Sequence, residues 1–446
     1  MLLYCKFIGT LKKILVWCLL SVLAIQVAGY IALQFPAVQT FVIQRIIDAA
    51  SKQIDGKIGI GKVHLIFFNK IILQDISIVS TLKTPQLDSL KENFGQSDTL
   101  LSCKKLSISI DAADLAKLQI KLKHINLNGG VFNLQNEGGQ GNTNLSRIFR
   151  IDKNRVKDTT KKGFPINLLA NSLKIKNFRF SLNNPDKFTD KGDSIINFSN
   201  LNVSDINVNI NNVRIERDTI FGTIKNISGR DKSGFTLKEL SGNLELSSTE
   251  ARIKDIRIAD NYTEVNARYF YMQYSSPKDL SDFINLVKLG IDLDDTYFSF
   301  KTIGRIAPSL QNSTLSLMLN GSVSGPVADL RSRNFSVTSE SGQTHMNLNL
   351  RMTGLPDIRQ AMSVVEIRDC RTTSSDVSKI VASITGRRQI AFFKKLSPHV
   401  RYNFNGNLIG LPDDFVANGI LSSNIGAIDV DILLKNDNSR NGFLIQ

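Results

Sequence analysis

The chain is poor in the residues that staple a fold or carry out chemistry. Of 446 residues, four are cysteine and four are histidine. Cys5 and Cys18 fall in or beside an apolar run, while Cys103 and Cys370 stand alone and far apart. That spacing excludes a disulfide scaffold, although a single Cys103–Cys370 bridge stays open. The histidines at 64, 124, 345 and 399 are solitary, and His64 and His124 take polar positions in alternating segments. HExxH, CxxC and GxSxG are all missing, and the glycine-rich run at 138–141 lacks the Lys-Ser/Thr that holds a phosphate. Asp292, Asp294 and Asp295 cluster in the segment IDLDD. That segment has neither the glycine nor the distal glutamate of a calcium loop, and it reads as a charged turn. No catalytic residue, metal ligand or cofactor is assigned, and an enzyme is not expected.

Long apolar runs are equally scarce, with one exception. Residues 14–33 contain no charged side chain. As a helix they would be about 30 Å long, the thickness of a bilayer core. Lys6, Lys12 and Lys13 precede the run, and the next cation is Arg45. Cations stay on the cytoplasmic side, so 1–13 is expected inside and everything after 33 outside. Ile14, Trp17, Leu20, Leu23, Ile25, Tyr30 and Leu33 are the apolar residues of this expected single-pass anchor. The cleavage candidate Val27-Ala28-Gly29 lies inside the run, and Trp17 before Cys18 does not suit a lipoprotein signal. The anchor is therefore expected to stay attached.

A net charge of +15 invites a polyanionic partner. The basic residues are spread along the chain, however. The short cluster Lys153, Arg155, Lys157, Lys161 and Lys162 reads as a solvated loop. Without a zinc-finger spacing or an RNA-binding aromatic signature, no nucleic acid is expected.

What the chain does have is periodicity. Pro36 can open a helix over 34–56, with Val38, Phe41, Val42, Ile46 and Ala49 on one stripe and Gly56 at its end. It could pack in a core, lie on a membrane or cap an open sheet. From 57 the period falls to two. Val63/Leu65, Ile76/Ile78, Leu106/Ile108/Ile110, Ile125/Leu127 and Leu173/Ile175 alternate with polar neighbours. So do Phe178/Phe180/Leu182, Ile206/Val208/Ile210, Leu244/Leu246, Ile256/Ile258, Leu315/Leu317/Leu319, Leu348/Leu350 and Ile428/Val430/Ile432/Leu434. Asn-, Gly-, Ser- and Asp-rich turns separate these runs. The fold class is mostly β, a long antiparallel series with one apolar and one polar face. At ~12 residues per strand and turn, the body holds roughly 30 strands.

Short helices are expected at Asn144–Arg150, after Ser281 with Gly290 as its stop, and after Ser375 with Gly386 as its stop. Leu319-Asn320-Gly321 and Phe404-Asn405-Gly406 resemble each other, and Gly354-Leu355-Pro356-Asp357 recurs at 410–413. Such recurrence suggests stacked, similar β-units. Residues 442–446 read as the opening of a further strand, so the chain is expected to continue beyond Gln446. Twenty-five of the thirty-four aromatic residues are Phe, which can line a dry surface without a hydrogen-bond partner. A two-sheet sandwich alternates in the same way, so periodicity leaves groove and closed core both open.

The order of these features resembles the N-terminal part of the translocation and assembly module (TamB) family of diderm bacteria, within the AsmA-like group. The likeness lies in the basic head, the anchor, Pro36-Ala37-Val38-Gln39 and Gly59-Ile60-Gly61-Lys62-Val63. It continues in Phe67-Phe68, Ser97-Asp98-Thr99-Leu100-Leu101, Leu240-Ser241-Gly242-Asn243-Leu244 and Gly354-Leu355-Pro356-Asp357. Members of that family extend well past this point. The resemblance implies a taco-shaped β-groove fixed to the inner membrane, with its body in the periplasm. An AsmA-like β region at 57–150 would be followed by a repeated groove at 151–446. The groove would move membrane phospholipids towards the outer membrane without catalysis. Its lining would include Ile108, Ile110, Ile206, Val208, Ile210, Leu317 and Leu319. Ser107, Ser109, Asn207, Asn209, Ser316 and Met318 would face the other way. The resemblance also implies an outer-membrane barrel partner of the TamA/BamA type. An assembly or docking factor for such barrels, working by strand addition, is the rival reading.

Overall fold

A computed structural model describes scattered positions between 21 and 51. It then describes residues 54–66, 69–80, 99–110, 122–136, 143–149, 169–184, 194–306, 310–385, 400–412, 414–424, 426–437 and 442–445. The seven named anchor residues lie outside this set. Among the described residues, no helix is long and apolar enough to cross a membrane. The chain divides into two compact units, Met1–Phe164 and Pro165–Gln446.

The first unit holds β1 (Gly56–Gly59), β2 (Lys62–Ile66), β3 (Lys70–Ser80), β4 (Thr99–Ile110) and β5 (Leu122–Gln135). Both β1 and β2 pair with β3, and β3–β4–β5 follow in antiparallel order. Directly opposed residues share a face, so Leu65–Ile71–Ile108–Ile125 and Val63–Leu73–Leu106–Leu127 form two apolar rows. Helical residues between 38 and 51 precede the sheet, and Gly56 opens β1 instead of closing that helix. Gln39, 3 % exposed, accepts from Leu65 N at 2.8 Å and donates to Leu65 O at 3.3 Å. One side-chain amide thus satisfies both backbone groups of an edge residue, which is how a helix can cap a sheet edge. A short helix, α1 (Asn144–Ile148), is capped by Thr143 and buries Ile148 completely.

The second unit is a longer antiparallel series. It runs β6 (Leu169–Asn183), β7 (Asn200–Glu216), β8 (Thr219–Asp231), β9 (Thr236–Leu237), β10 (Glu239–Leu246), β11 (Glu250–Ala259) and β12 (Glu264–Gln273). Next come β13 (Lys288–Ser299), β14 (Ser316–Pro326), β15 (Asp329–Ser339), β16 (His345–Thr353) and β17 (Met362–Thr373). The last four are β18 (Arg401–Leu411), β19 (Asp414–Ser423), β20 (Gly426–Asp437) and β21 (Gly442–Ile445). Neighbours in sequence are neighbours in the sheet, except that β9 is a two-residue stub beside β8, and β8 pairs onward with β10. The described residues hold twenty-one strands where about thirty were expected. The strands are longer than a 12-residue unit allows, reaching seventeen residues in β7.

That length is sustained by bulges. Asp75, Asn177, Asp205, Asn212, Asp255, Asp295 and Asn334 all have φ between 51° and 54°, except Asp295 at 44°. Asn and Asp tolerate this left-handed region because their short polar side chains can bond locally. All but Asp75 insert one residue into their strand, so apolar positions three apart, such as Ile253 and Ile256, stay on one face. Register shifts at 241/243, 293/296, 320/322, 332/335 and 367/370 place the bulges side by side across β10–β18. The repeated Asn-Gly pairs fall on this line. Asn320 Oδ1 accepts from Asp295 N at 2.7 Å, and Asn405 Nδ2 donates to Arg368 O at 2.7 Å.

Three local readings need correction. The segment IDLDD is the middle of β13, not a turn. Leu293 enters the core, Asp292 bonds Arg268, and Asp295 forms the bulge. Gly290 stops no helix: it faces Tyr271 on β12, and a Cβ at Gly290 would collide with that ring. The preceding helix, α2 (Phe283–Leu286), follows a 3-10 turn at Pro277–Asp282. Its N-cap position is Asp282, without a side-chain cap bond, and Asp279 in the 3-10 turn accepts from Ser275 N and Ser276 N. After α3 (Phe300–Ile303) comes α4 (Ser374–Thr385), whose Asp376 N donates to Thr373 Oγ1, so the cap lies earlier than Ser375.

Candidate functional site

The second unit carries one apolar face in strict register. Leu244, Ile253, Phe270, Ile291 and Val323 are successive directly opposed partners from β10 to β14. The row passes through Ser332 and continues as Leu350, Val365, Leu408, Ala417 and Ile432 to β20. At about 4.8 Å per strand, these eleven strands give roughly 48 Å of sheet. A second row runs Leu319–Val337–Met346–Cys370–Phe404–Leu421–Ile428. Between them, Ile256, Ala267, Leu293, Phe335 and Leu348 are the buried centre.

Five of the seven expected lining residues belong to this unit. Ile206 faces Phe178, Val208 faces Ile175 and Ile227, and Ile210 faces Leu173 and Ile224. Leu319 packs against the buried centre, and Leu317 lies two residues along the same face, opposite Phe298 and Ser339. Ile108 and Ile110 belong to the first unit, where they face Ile125 and Leu122. Sequence reading passed over Ile253, Phe270, Ile291, Val323, Phe335, Val337 and Val365. The available signal was an apolar-x-x-apolar step across an Asn or Asp, which marks a bulge rather than a break.

The degree of burial is as informative as the pattern. Every apolar residue of the first row is only half-buried, and from β18 onward no described side chain on this face is fully buried. Ile428 is 60 % exposed. A sandwich core would bury both rows, because a fully enclosed side chain gains about 1.5–3 kcal/mol over an exposed one.

The opposite face is mainly ionic. Arg252–Glu250, Lys254–Glu245, Arg257–Glu264, Arg268–Asp292 and Arg368–Glu366 are paired there. Exposed pairs contribute little stability, so their value is in keeping this side wet. The Arg268 guanidinium and the Ser322 hydroxyl hold the Asp292 carboxyl below the usual range despite its burial. Arg331 and Arg351 do the same for Asp329 more strongly. The separation is incomplete. Ser107 and Ser316 are buried although the polar face was expected to be solvated, and Val364, Ile409 and Val416 form an exposed apolar row on that side. Asn209 and Asn226 oppose each other, and each keeps a buried Oδ1 without a partner.

Cys103 and Cys370 are free thiols, one in each unit, so the bridge left open by the sequence does not form. Burial pushes the Cys370 thiol up to about 11, with Asp369 adding to the shift. It is packing material on the apolar face. Among the described residues, no His, Cys, Asp and Glu groups could hold a metal ion. No protein family, curated protein or solved structure matches the chain.

Proposed function

We propose that the chain is a non-enzymatic lipid carrier: a β-groove anchored in the inner membrane, with its body in the periplasm, along which phospholipid acyl chains pass towards the outer membrane. The observation that supports this reading is the registered row of the second unit, apolar on ten of its eleven strands and only half-buried at those ten positions. Acyl chains on such a face are spared water at about 0.8 kcal/mol per methylene, while headgroups remain at the wet margin. The face gives passage without direction. A barrel protein of the TamA/BamA type in the outer membrane is the proposed receiving partner.

Photo-cross-linkers at Ile253, Ile291, Val323, Leu350 and Val365 should capture phospholipid in cells. Cross-linkers at Asn243, Ser324 and Asn407, on the other side of the same strands, should not. Equal capture from both sets removes the groove. Capture of an outer-membrane barrel protein with no lipid along the face would favour the assembly factor instead.

A further inference from the structure

A cavity of about 380 Å³ opens where α3 and the segment before β14 meet the β11–β12 turn, wholly within the second unit. Tyr262 forms one wall, and the Lys301 ammonium lies 5.3 Å from its ring centroid. Arg305 enters from the chain after α3 and donates through Nη1 to Ser194 O at 3.2 Å and Ser233 O at 3.0 Å. Gln311 and Asn312 add exposed amides, and Gln311 Nε2 donates to Ser194 Oγ. Among the described residues, no carboxylate lines the cavity. Neither Lys301 nor Arg305 has an acidic partner among the described residues. The nearby Asp260 is already committed, accepting from Tyr262 N, Thr263 N and Thr302 Oγ1.

Two cations, several neutral donors and an aromatic wall, with no acid among the described lining residues, suit one kind of guest. The geometry points to a binding site for a phosphate-bearing small molecule, its anionic group held between Lys301 and Arg305 and its organic part against Tyr262. Guanidinium and ammonium groups are the usual partners of phosphate oxygens, and the volume suits a small phosphorylated molecule rather than a bare ion. Arg305 is also a staple, because its two carbonyl contacts tie Ser194 and Ser233 together. Lys301 has no such duty, so it is the residue to change. The site stands independently of the lipid-carrying reading.

The full chain, purified from membranes, should be titrated calorimetrically with inorganic phosphate, glycerol phosphate and a short-chain phosphatidylglycerol below its micellar concentration. Saturable binding of glycerol phosphate is expected. Lys301→Gln and Asn312→Asp should each weaken it at least tenfold with an unchanged melting temperature, and Lys301→Arg should retain it. Binding of glycerol phosphate but not of the phosphatidylglycerol identifies a soluble phosphorylated ligand, and binding of the phosphatidylglycerol as well identifies a lipid headgroup. No saturable binding of any probe, or equal affinity in Lys301→Gln, overturns the site. Lipid capture at Val323 is unaffected by that failure, so the two readings are tested separately.

Discussion

Asp329 sits between two guanidiniums that would otherwise face each other. Arg331 and Arg351 are directly opposed on β15 and β16, and like charges so placed repel. The Asp329 carboxylate takes Arg331 Nη2 at 2.7 Å and Arg351 Nε at 2.9 Å, and the pair depresses its pKa. A carboxyl lowered in the folded state stabilises above its unfolded value of about 3.9, and that contribution is lost as pH falls through the folded value. Asp329→Asn should therefore lower the urea midpoint at pH 7, and the gap to the parent should close progressively below about pH 4. A gap that is constant across pH would mean that the side chain acts by packing alone. Cys370 gives a second check at this scale. With its thiol buried and its pKa raised to about 11, it should react with a thiol reagent at neutral pH only on unfolding. Rapid labelling of the native chain would contradict its placement on the packed face.

At the scale of the element, the bulge decides whether a long strand keeps its apolar residues on one side. Asn334 has φ 53°, donates its N–H to Asn349 Oδ1 at 2.9 Å and accepts from Arg368 Nη1 at 2.6 Å. Phe335 and Val337 beyond it rejoin the face that Ser332 left. A β-branched side chain cannot hold this conformation without strain, so Asn334→Val should cost about 1–3 kcal/mol in a urea melt. Asn334→Gly, which keeps the backbone, should cost clearly less. Equal losses would assign the effect to the Arg368 bond alone. The facing pair Gly406 and Gly419 shows another local requirement, since a Cβ at Gly406 would meet Asn418 O. The β class and many strand cores were legible because alternation within one run is a local signal. The bulges were not, because a search for period two sees Ile253, Asp255 and Ile256 as a broken pattern. β13 was missed for the same reason: the aspartates of IDLDD look like a turn in sequence, whereas in the strand Asp292 is held by Arg268 and Asp295 sits in the bulge. The polar line at Ser107 and Ser316 failed differently, since burial depends on what packs above a residue and no period records that.

Over the whole second unit, each strand contacts mainly its two neighbours, so stability is distributed along the stack rather than vested in one closed core. This makes a charge on the apolar face a discriminating change. Val208 is half-buried in β7 between Ile175 and Ile227. On an open face, an aspartate there can keep water beside it and leave the fold standing. In a sealed core the same carboxylate would lose several kcal/mol to desolvation, or would take up a proton and still lack partners. Val208→Asp should therefore accumulate at the parental level with at most a modest fall in melting temperature. On the proposed carrier reading it should lose phospholipid cross-linking at Val323 and beyond, because acyl chains would then have to pass a hydrated point. Asn207→Asp is the matched control. Its Oδ1 can still accept from Asn177 N, the exposed Nδ2 bond to Asp205 O is lost, and its new charge points to the other face. Lipid capture should be unchanged in that variant. If Val208→Asp abolishes accumulation while Asn207→Asp does not, the β7 face is a closed core and lipid does not travel along it.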